Sequence, residues 1–390
     1  MSFQELEARY TSGFYNKKDI TITYGEGCYL YDEQENRYLD LIAGIAVCSL
    51  GHAHPHLAGV IAEQAKRLIS CSEIFYNDQR AQLLEELNSI TAPSLNRFFL
   101  CNSGTEAMEA CLKIARLSTK KTDFVACNMC FHGRSMGALS ATHKKDYRDP
   151  FLPLVPGFTH VPMNNAEKLE EAVTGQTAAI LIEPIQGEGG MRLADAEFLQ
   201  AARRIADEKG CLLIFDEVQC GMGRTGRWWA QEWSGVTPDL MAMAKGLGSG
   251  FPVGAVAIGE KAGEMTKGAH GTTFGGNPLA CAVATTVIRT IKHRGLVQQA
   301  EENGEYLMER LRAIDSPLIR EVRGKGLMIG VELKQKVGPY IQKMFEEHRI
   351  LMLNAGATVI RIVPPLIIKR EQLDYAVEAL GQVLSQPVEA

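Results

Sequence analysis

Short apolar runs alternate with helix-like segments between about residue 55 and residue 290 of this 390-residue chain. Six runs have the length and composition of strands buried on both faces. They are Phe98–Cys101, Phe124–Cys127, Ala178–Ile182, Leu212–Phe215, Leu240–Ala244 and Val253–Ile258. Helical periodicity is clearest in Thr105–Leu117, Phe198–Glu208 and Leu279–His293. This alternation predicts an α/β fold in which helices cover a mostly parallel sheet.

The pattern changes after His293, where longer helices and two strands predict a smaller α+β domain. Its elements are a helix through Leu311, a strand at Leu327–Leu333, a helix at Pro339–His348, a strand at Val359–Val363 and a last helix from Glu371. Short strands around Ile20–Tyr24 and Tyr29–Tyr31 have no helix of their own to cover them. We therefore predict a large domain at residues 55–292, a small domain at residues 293–390, and an N-terminal segment at residues 1–54 that packs with the small domain.

Composition narrows the class of partner. The net charge is −5 with no block of like charge, which argues against nucleic acid or a membrane surface and favours a small-molecule substrate. Residues 1–10 lack a signal-peptide core, and no apolar run reaches transmembrane length. Ten cysteines without a secretion signal indicate free thiols in a reducing cytoplasm. Cys127 and Cys130 form an isolated C-x-x-C, so we expect no metal site.

Two of the apolar runs are each followed directly by a charged residue. Asp216 follows Leu212–Phe215, and Lys245 follows Leu240–Ala244. In α/β folds ligands bind where such strands end. An acid for a ring nitrogen and a lysine for an aldehyde are the groups that a pyridoxal phosphate enzyme needs from its protein. We therefore expect pyridoxal 5′-phosphate at this edge.

A glycine turn opens the helix after Phe98–Cys101. Ser103 and Glu106 fit a capping box, and the free N–H groups around Gly104 can also bind phosphate. The two interpretations are compatible. The loop of residues 270–278 is either a capped turn before a helix, with Asn277 and Pro278 at its start, or a binding loop for phosphate or carboxylate.

Three other segments offer both structural and functional interpretations. Phe131 either belongs to the core or stacks on a flat cofactor, and Arg134 is either solvated or clamps a carboxylate. Glu183 is either an acid that only ends a strand or a residue of the site. Glu188 lies in a glycine-rich loop where it can pair reversibly with Arg361, a cation inside an apolar strand. Residues 221–226 match G-x-G-x-x-G but do not join a strand directly to a helix, which disfavours a dehydrogenase.

In this order the segments resemble the class III (subgroup II) aminotransferases of the fold-type I pyridoxal phosphate superfamily, and most closely the acetylornithine aminotransferase branch. The resemblance runs from Tyr24–Gly27 and Gly51–Pro55 to the strand that contains Arg361. The closeness to that branch rests on Gly133–Thr142 and Phe215–Gly226. The resemblance implies a homodimer with the active site at the subunit interface.

The resemblance also implies roles for individual residues. Lys245 would bind the cofactor aldehyde covalently, and Asp216 would keep the pyridine nitrogen protonated. The remaining cofactor contacts would be Gly104 and Thr105 at the phosphate, Thr273 of the partner subunit at the same phosphate, Phe131 and Val218 on the ring faces, and Gln219 near the phenolic oxygen. The substrate contacts would be Arg134 and Arg361 at carboxylates, Glu188 shielding Arg361, and Thr272 and Ile45 beside the substrate.

The implied reaction is transamination of N-acetylornithine with 2-oxoglutarate. Relatives that act on ornithine have a tyrosine where the resemblance places Ile45, and an aliphatic residue favours the acetylated donor. Met108 stands where this branch usually has asparagine. Ornithine, succinylornithine, 4-aminobutyrate or a lysine-pathway intermediate remain alternative substrates, and a catalytically silent binding protein is disfavoured because both Lys245 and Asp216 are present.

Overall fold

The computed structural model describes residues 1–385, and residues 386–390, the end of the predicted small domain, lie outside them. The N-terminal segment forms one helix, three strands and a short helical turn. They are α1 (Phe3–Tyr10), β1 (Ile22–Glu26), β2 (Tyr29–Asp32), β3 (Arg37–Asp40) and α2 (Ala43–Ala46). No helix was expected here from the sequence. Helix α1 exists but buries none of its residues, so it covers no strand.

The middle of the chain alternates helices and strands, as predicted. Its elements are α3 (Pro55–Arg67), α4 (Asp78–Asn88), β4 (Arg97–Cys101), α5 (Gly104–Thr119), β5 (Asp123–Cys127), α6 (Met136–Ala141), α7 (Lys145–Arg148), β6 (Phe158–Val161), α8 (Ala166–Ala172), β7 (Thr177–Ile182), β8 (Ile185–Gln186), β9 (Arg192–Leu193), α9 (Ala196–Lys209), β10 (Leu212–Asp216), β11 (Leu240–Met243), β12 (Gly254–Ile258) and α10 (Pro278–His293). Strand β6, a short strand at the edge of the sheet, was not predicted.

The C-terminal part contains α11 (Leu296–Arg312), β13 (Ile319–Lys325), β14 (Met328–Leu333), α12 (Gly338–His348), β15 (Ile350–Leu351), β16 (Leu353–Ala355), β17 (Val359–Ile362) and α13 (Arg370–Ser385). Strand β13 was missed because its sequence, IREVRGK, is mostly polar and only Val322 is buried. It lies at the edge of a sheet of order β13-β14-β17-β16.

The large sheet has seven strands in the order β4-β12-β11-β10-β7-β5-β6, and only β12 runs antiparallel to its neighbours. Alternate residues of each central strand face opposite helices, as the pleat requires. In β10, Leu212 and Ile214 belong to the core under α5, whereas Leu213 and Phe215 belong to the core under α9. Burial on both faces explains the continuous apolar runs and confirms the predicted α/β fold.

The N-terminal strands join the C-terminal part of the chain through backbone pairing. Strand β3 pairs in parallel with β15, so one sheet has the order β1-β2-β3-β15. The N-terminal segment is therefore hydrogen-bonded through β3 to a strand of the C-terminal part. The domain boundaries themselves remain a prediction.

Candidate active site

The carboxyl ends of the large sheet surround a cavity of about 450 Å³. Asp216 is the last residue of β10 and pairs with Ala242 of β11, so Lys245, three residues farther along, lies at the same edge. Both side chains line the cavity. The charges that the sequence places at two strand ends are therefore brought together by the parallel register.

Asp216 is 4% exposed, and both of its carboxylate oxygens are held. Oδ1 accepts the Val218 N–H at 3.0 Å, and Oδ2 accepts a hydrogen bond from His132 Nδ1 at 2.8 Å. Burial lowers the pKa of His132, but the neighbouring Cys130 and Asp216 outweigh burial and raise it well above its ordinary value. His132 was not predicted as a site residue, although it follows Phe131 directly in the sequence.

Lys245 follows strand β11 with φ +43°, a backbone conformation that is uncommon for a residue other than glycine. Burial lowers the pKa of its ammonium group, and Arg361 lowers it further, while Glu188, Asp216 and Glu183 oppose the change. Within residues 1–385 its Nζ has no hydrogen bond or ion pair. Lys245 therefore carries a neutral amine at a lower pH than a free lysine does.

Helix α5 begins at the cavity wall with unpaired backbone donors. Ser103 Oγ accepts the Glu106 N–H, as the predicted capping box requires. The Glu106 carboxylate, however, binds the N–H and side-chain amide of Asn102 instead of the N–H of Ser103. The N–H groups of Gly104 and Thr105 lie in the first turn, where a helix supplies no internal acceptor. They can receive an anion at the positive end of the helix.

Glycine at position 104 is required by its neighbours. A Cβ atom there would lie 2.8 Å from Val218 Cγ1, and the helix could not approach the end of β10 so closely. Gly133 has φ +137°, and a Cβ there would lie 2.4 Å from Thr105 Oγ1. The two glycines therefore let the walls of the cavity come together.

Phe131, Val218 and Gln219 line the same cavity. The Phe131 N–H donates to Glu183 Oε1 at 2.8 Å, which fixes the start of the loop after β5. Burial raises the pKa of Glu183 to about 7, with His132 opposing and Asp216 adding to the rise. Glu183, for which the sequence left both interpretations open, therefore orients the aromatic wall.

The two candidate arginines differ in their surroundings. Arg134 lines the cavity, is exposed, and lies 3.6 Å above the centre of the Tyr147 ring. Arg361 is buried on β17, where its Nη1 donates to Glu188 Oε1 and, at 3.4 Å, to Gln219 Oε1. Arg361 and Glu188 thus form the ion pair that the sequence analysis expected, and Gln219 connects this pair to the cavity.

Besides Glu188 and Arg361, three candidates lie off the cavity wall of a single chain. Thr272 accepts a hydrogen bond from Asn102 Nδ2 at 3.1 Å, and Thr273 is exposed. Ile45 is 41% exposed with φ +66°, which is strained for a β-branched residue. Met108 is fully buried in the core under α5, where it packs against apolar neighbours.

The alternative motifs have structural explanations. In residues 221–226 a Cβ on Gly221 would lie 2.7 Å from the Trp229 ring, and the buried Arg224 donates to the Leu327 and Pro364 carbonyls. No helix opens there, so the segment does not form a dinucleotide site. Residues 270–278 end in a capped turn, because Asn277 Oδ1 accepts the Ala280 N–H at 2.8 Å.

Across residues 1–385 no group of three or more acidic, histidine or cysteine residues has the geometry to hold a metal ion, and all ten cysteines are unpaired. In the same range no helix combines the length and apolar character that crossing a membrane requires.

Comparison with known proteins places this arrangement in a family. Residues 13–384 match the family described as aminotransferase class-III. The chain is 48% identical over 382 residues to the [LysW]-aminoadipate semialdehyde transaminase of Deinococcus radiodurans, covering 97% of this chain and 89% of that protein. It is 44% identical over 379 residues to the acetylornithine aminotransferase of Methanosarcina acetivorans, covering 97% and 95%.

A solved aminotransferase structure has the same fold as this chain. The ornithine aminotransferase from Toxoplasma gondii, whose description reports pyridoxal phosphate at its active site, superposes with a TM-score of 0.93 at 32% identity, covering 98% of this chain and 93% of that one. Together with the cavity that Asp216 and Lys245 line, the matches lead to one conclusion: the chain belongs to the class-III aminotransferases, and its cofactor is pyridoxal phosphate.

Proposed function

We propose that the enzyme transfers the δ-amino group of N-acetylornithine to 2-oxoglutarate, giving N-acetylglutamate 5-semialdehyde and glutamate, as a step of arginine biosynthesis. The observation that carries this proposal is the ion pair between Arg361 and Glu188. The reacting carbon of the donor bears no carboxylate, so Glu188 neutralises Arg361 in that half of the reaction. The reacting carbon of 2-oxoglutarate bears one, which takes the place of Glu188 on the guanidinium.

The residues present fit pyridoxal phosphate. Asp216 offers a buried carboxylate for the ring nitrogen, the first turn of α5 offers N–H groups for the phosphate, and Phe131 and Val218 lie on the walls where a flat ring would fit. When bound, the cofactor supplies an electron sink for the negative charge that develops on the substrate carbon.

The side chains around the cavity have different roles in the proposed reaction. Asp216, held by His132 and the Val218 N–H, keeps a negative charge next to the ring nitrogen. Lys245 would hold the cofactor between turnovers and, once released by the incoming amine, would take the proton from the reacting carbon of the donor and deliver it to the carbon of the cofactor's aldehyde group, so that the amino group stays with the cofactor. Its lowered pKa suits it to accept that proton.

Arg134 is proposed to bind the distant carboxylate in both halves of the reaction, namely the α-carboxylate of the donor and the γ-carboxylate of 2-oxoglutarate. Its guanidinium is fixed over Tyr147 and retains free N–H groups for a bidentate contact. Ile45 is proposed to lie against the donor's acetyl group, as an aliphatic side chain would favour.

The working unit is proposed to be a homodimer in the cytoplasm. Thr273 is exposed on its own subunit and would complete the phosphate site of the other, while Thr272 would lie near substrate. The ten unpaired cysteines support a reducing compartment, and cell fractionation would test that location.

A second candidate substrate is a LysW-linked aminoadipate semialdehyde, favoured by the 48% identity to the Deinococcus radiodurans enzyme. Aminoadipate semialdehyde is one methylene longer than glutamate semialdehyde and bears the same reacting group. Because Lys245, Asp216, Glu188 and Arg361 act on the end of the molecule that both substrates share, they do not distinguish between them.

A panel of amino donors with 2-oxoglutarate as acceptor tests the substrate. We expect kcat/KM to be highest for acetylornithine, by about tenfold or more over free ornithine and 4-aminobutyrate, because a pocket that fits one end group discriminates on this scale. Succinylornithine and the amine corresponding to the LysW-linked semialdehyde complete the panel. A preference for any other donor would move the assignment to that substrate. Lys245→Ala is the control and should turn over none of them.

A further inference from the structure

The loop that contains Glu188 is held so tightly that its backbone has little freedom. It joins β8 to β9 and spans residues 187–191. Glu183 Oε2 accepts the Gly187 N–H at 3.3 Å, and a Cβ on Gly187 would lie 2.2 Å from Gln219 Oε1. A Cβ on Gly189 would lie 2.7 Å from the Met129 carbonyl oxygen. The glycines of this loop therefore serve close packing.

Arg323 of β13 holds the far end of the same loop. Its Nε donates to the Gly190 carbonyl at 2.9 Å, and its Nη1 donates to Glu332 Oε2 at 2.6 Å and to Glu321 Oε2 at 2.6 Å. Glu332, on β14, is 8% exposed. The guanidinium is thus fixed by carboxylates on its own sheet while it binds the loop backbone.

Arg323 and Arg361 belong to one row of residues across three strands. Gly330 of β14 pairs with Arg323 on one side and with Arg361 on the other. Directly paired residues point to the same face of a sheet, so all three face the loop. A Cβ on Gly330 would lie 3.0 Å from Met191, which shows how closely the loop packs on this row.

We propose that Arg323 is a positioning residue for substrate selection: it fixes the loop of residues 187–191 so that the Glu188 side chain, and not the loop, moves when a carboxylate binds Arg361. The inference rests on the proposed function, in which Glu188 covers Arg361 in one half of the reaction. Arg323 lies outside the cavity and touches no substrate. Its contribution is to place Glu188 within reach of Arg361 each time the carboxylate leaves.

The two half-reactions should respond differently when this anchor is lost. With the amino donor, Arg361 needs Glu188 at the correct position, so a loosened loop leaves a buried cation without its partner. With 2-oxoglutarate, the substrate carboxylate itself neutralises Arg361, and a loosened Glu188 competes less. Loss of Arg323 should therefore impair the donor half-reaction selectively.

Arg323→Lys tests this directly. Lysine keeps the charge beside Glu332 but lacks the planar fork that reaches Gly190 and Glu332 together. We expect kcat/KM of the donor half-reaction to fall about fivefold to tenfold, the scale of one typical lost hydrogen bond, with that of 2-oxoglutarate unchanged or raised. Both half-reactions are measured on one preparation, so their ratio does not depend on the fraction of folded protein.

Arg320→Gln is the matched control, because Arg320 binds the same Glu332 at 3.0 Å without a hydrogen bond to the loop. It should leave the ratio of the half-reactions unchanged. Hydrogen exchange of residues 187–191 supplies a readout independent of activity, and exchange should be faster in Arg323→Lys only. Equal losses in both half-reactions, or unchanged exchange in Arg323→Lys, would overturn the inference.

Glu188→Ala separates this inference from the proposal on which it rests. If Glu188→Ala impairs the donor half-reaction selectively and Arg323→Lys does not, Glu188 shields Arg361 as proposed, but Arg323 does not position Glu188. If Glu188→Ala changes both half-reactions equally, the proposed shielding of Arg361 by Glu188 is wrong, and the inference about Arg323 is wrong with it.

Discussion

At the scale of single residues, the site depends on side chains that fix other side chains. Asp216 is 4% exposed, and its carboxylate is oriented from behind by His132. A hydrogen bond of this kind fixes the direction in which the carboxylate points. His132 therefore positions Asp216 at the cavity wall.

Replacing His132 tests this role. We expect His132→Ala to lower kcat/KM by about tenfold to hundredfold, because a buried charge-assisted hydrogen bond is lost. His132→Asn should recover part of the activity, since its side-chain amide can donate near the position of Nδ1. Steady-state kinetics with acetylornithine, together with the content of bound cofactor, measures both. Full activity in His132→Ala, or no gain from asparagine, would contradict the role.

At the scale of elements, a single ion pair connects the N-terminal hairpin to the segment before α3. Asp40, at the end of β3, accepts the Ile42 and Ala43 N–H groups with Oδ1 and contacts His52 Nε2 with Oδ2 at 2.7 Å. The backbone of His52 pairs with Gly27. The hydrogen bond to Asp40, with a second one to Cys48, outweighs burial and raises the pKa of His52 to about 9.

This pair makes stability depend on pH. The pKa of His52 rises on folding from 6.5 to about 9, so its stabilisation is complete below pH 6.5 and is lost as pH rises through about 9. The wild type should therefore lose roughly 2 to 4 kcal/mol of unfolding free energy over that interval. Urea unfolding of the wild type and His52→Gln measures the effect. An equal loss in His52→Gln would show that other groups cause it.

At the scale of the whole molecule, an exposed apolar surface lies beside the loop of Thr272 and Thr273. Phe75 is 62% exposed and Phe274 is 63% exposed. Tyr76, which follows Phe75 directly, is fully exposed. Arg80 connects the two segments, because it donates to the Phe75 carbonyl at 2.8 Å and to the Gly276 carbonyl at 3.0 Å. Such a patch indicates a protein interface, and we expect a second copy of the chain to cover it.

Tyr76→Asp tests the proposed dimer. A charge at the centre of an apolar interface should shift the chain to monomers and reduce activity about tenfold or more, since Thr273 could no longer reach the other subunit's cavity. Sedimentation velocity measures the mass. Tyr375→Asp, on the outer helix α13, is the control and should remain dimeric. A monomeric wild type with full activity would disprove the interface.

The sequence was sufficient for features that depend on local pattern. The central strands were predicted to within one or two residues, because burial on both faces makes β7, β10 and β11 continuously apolar. Strands β6 and β13 were missed, because edge strands carry polar residues and resemble loops. Helix α1 was missed because it buries no residue and so shows little more than its capping box.

The sequence by itself determined the fold class, the cofactor, and the pairing of Glu188 with Arg361. Only the tertiary structure decided that His132 orients Asp216 and that Arg323, Gly330 and Arg361 form one row against the Glu188 loop. The physical reason is that buried strands reveal themselves by an unbroken apolar run. Contacts between distant segments instead depend on sheet register, which no local pattern encodes.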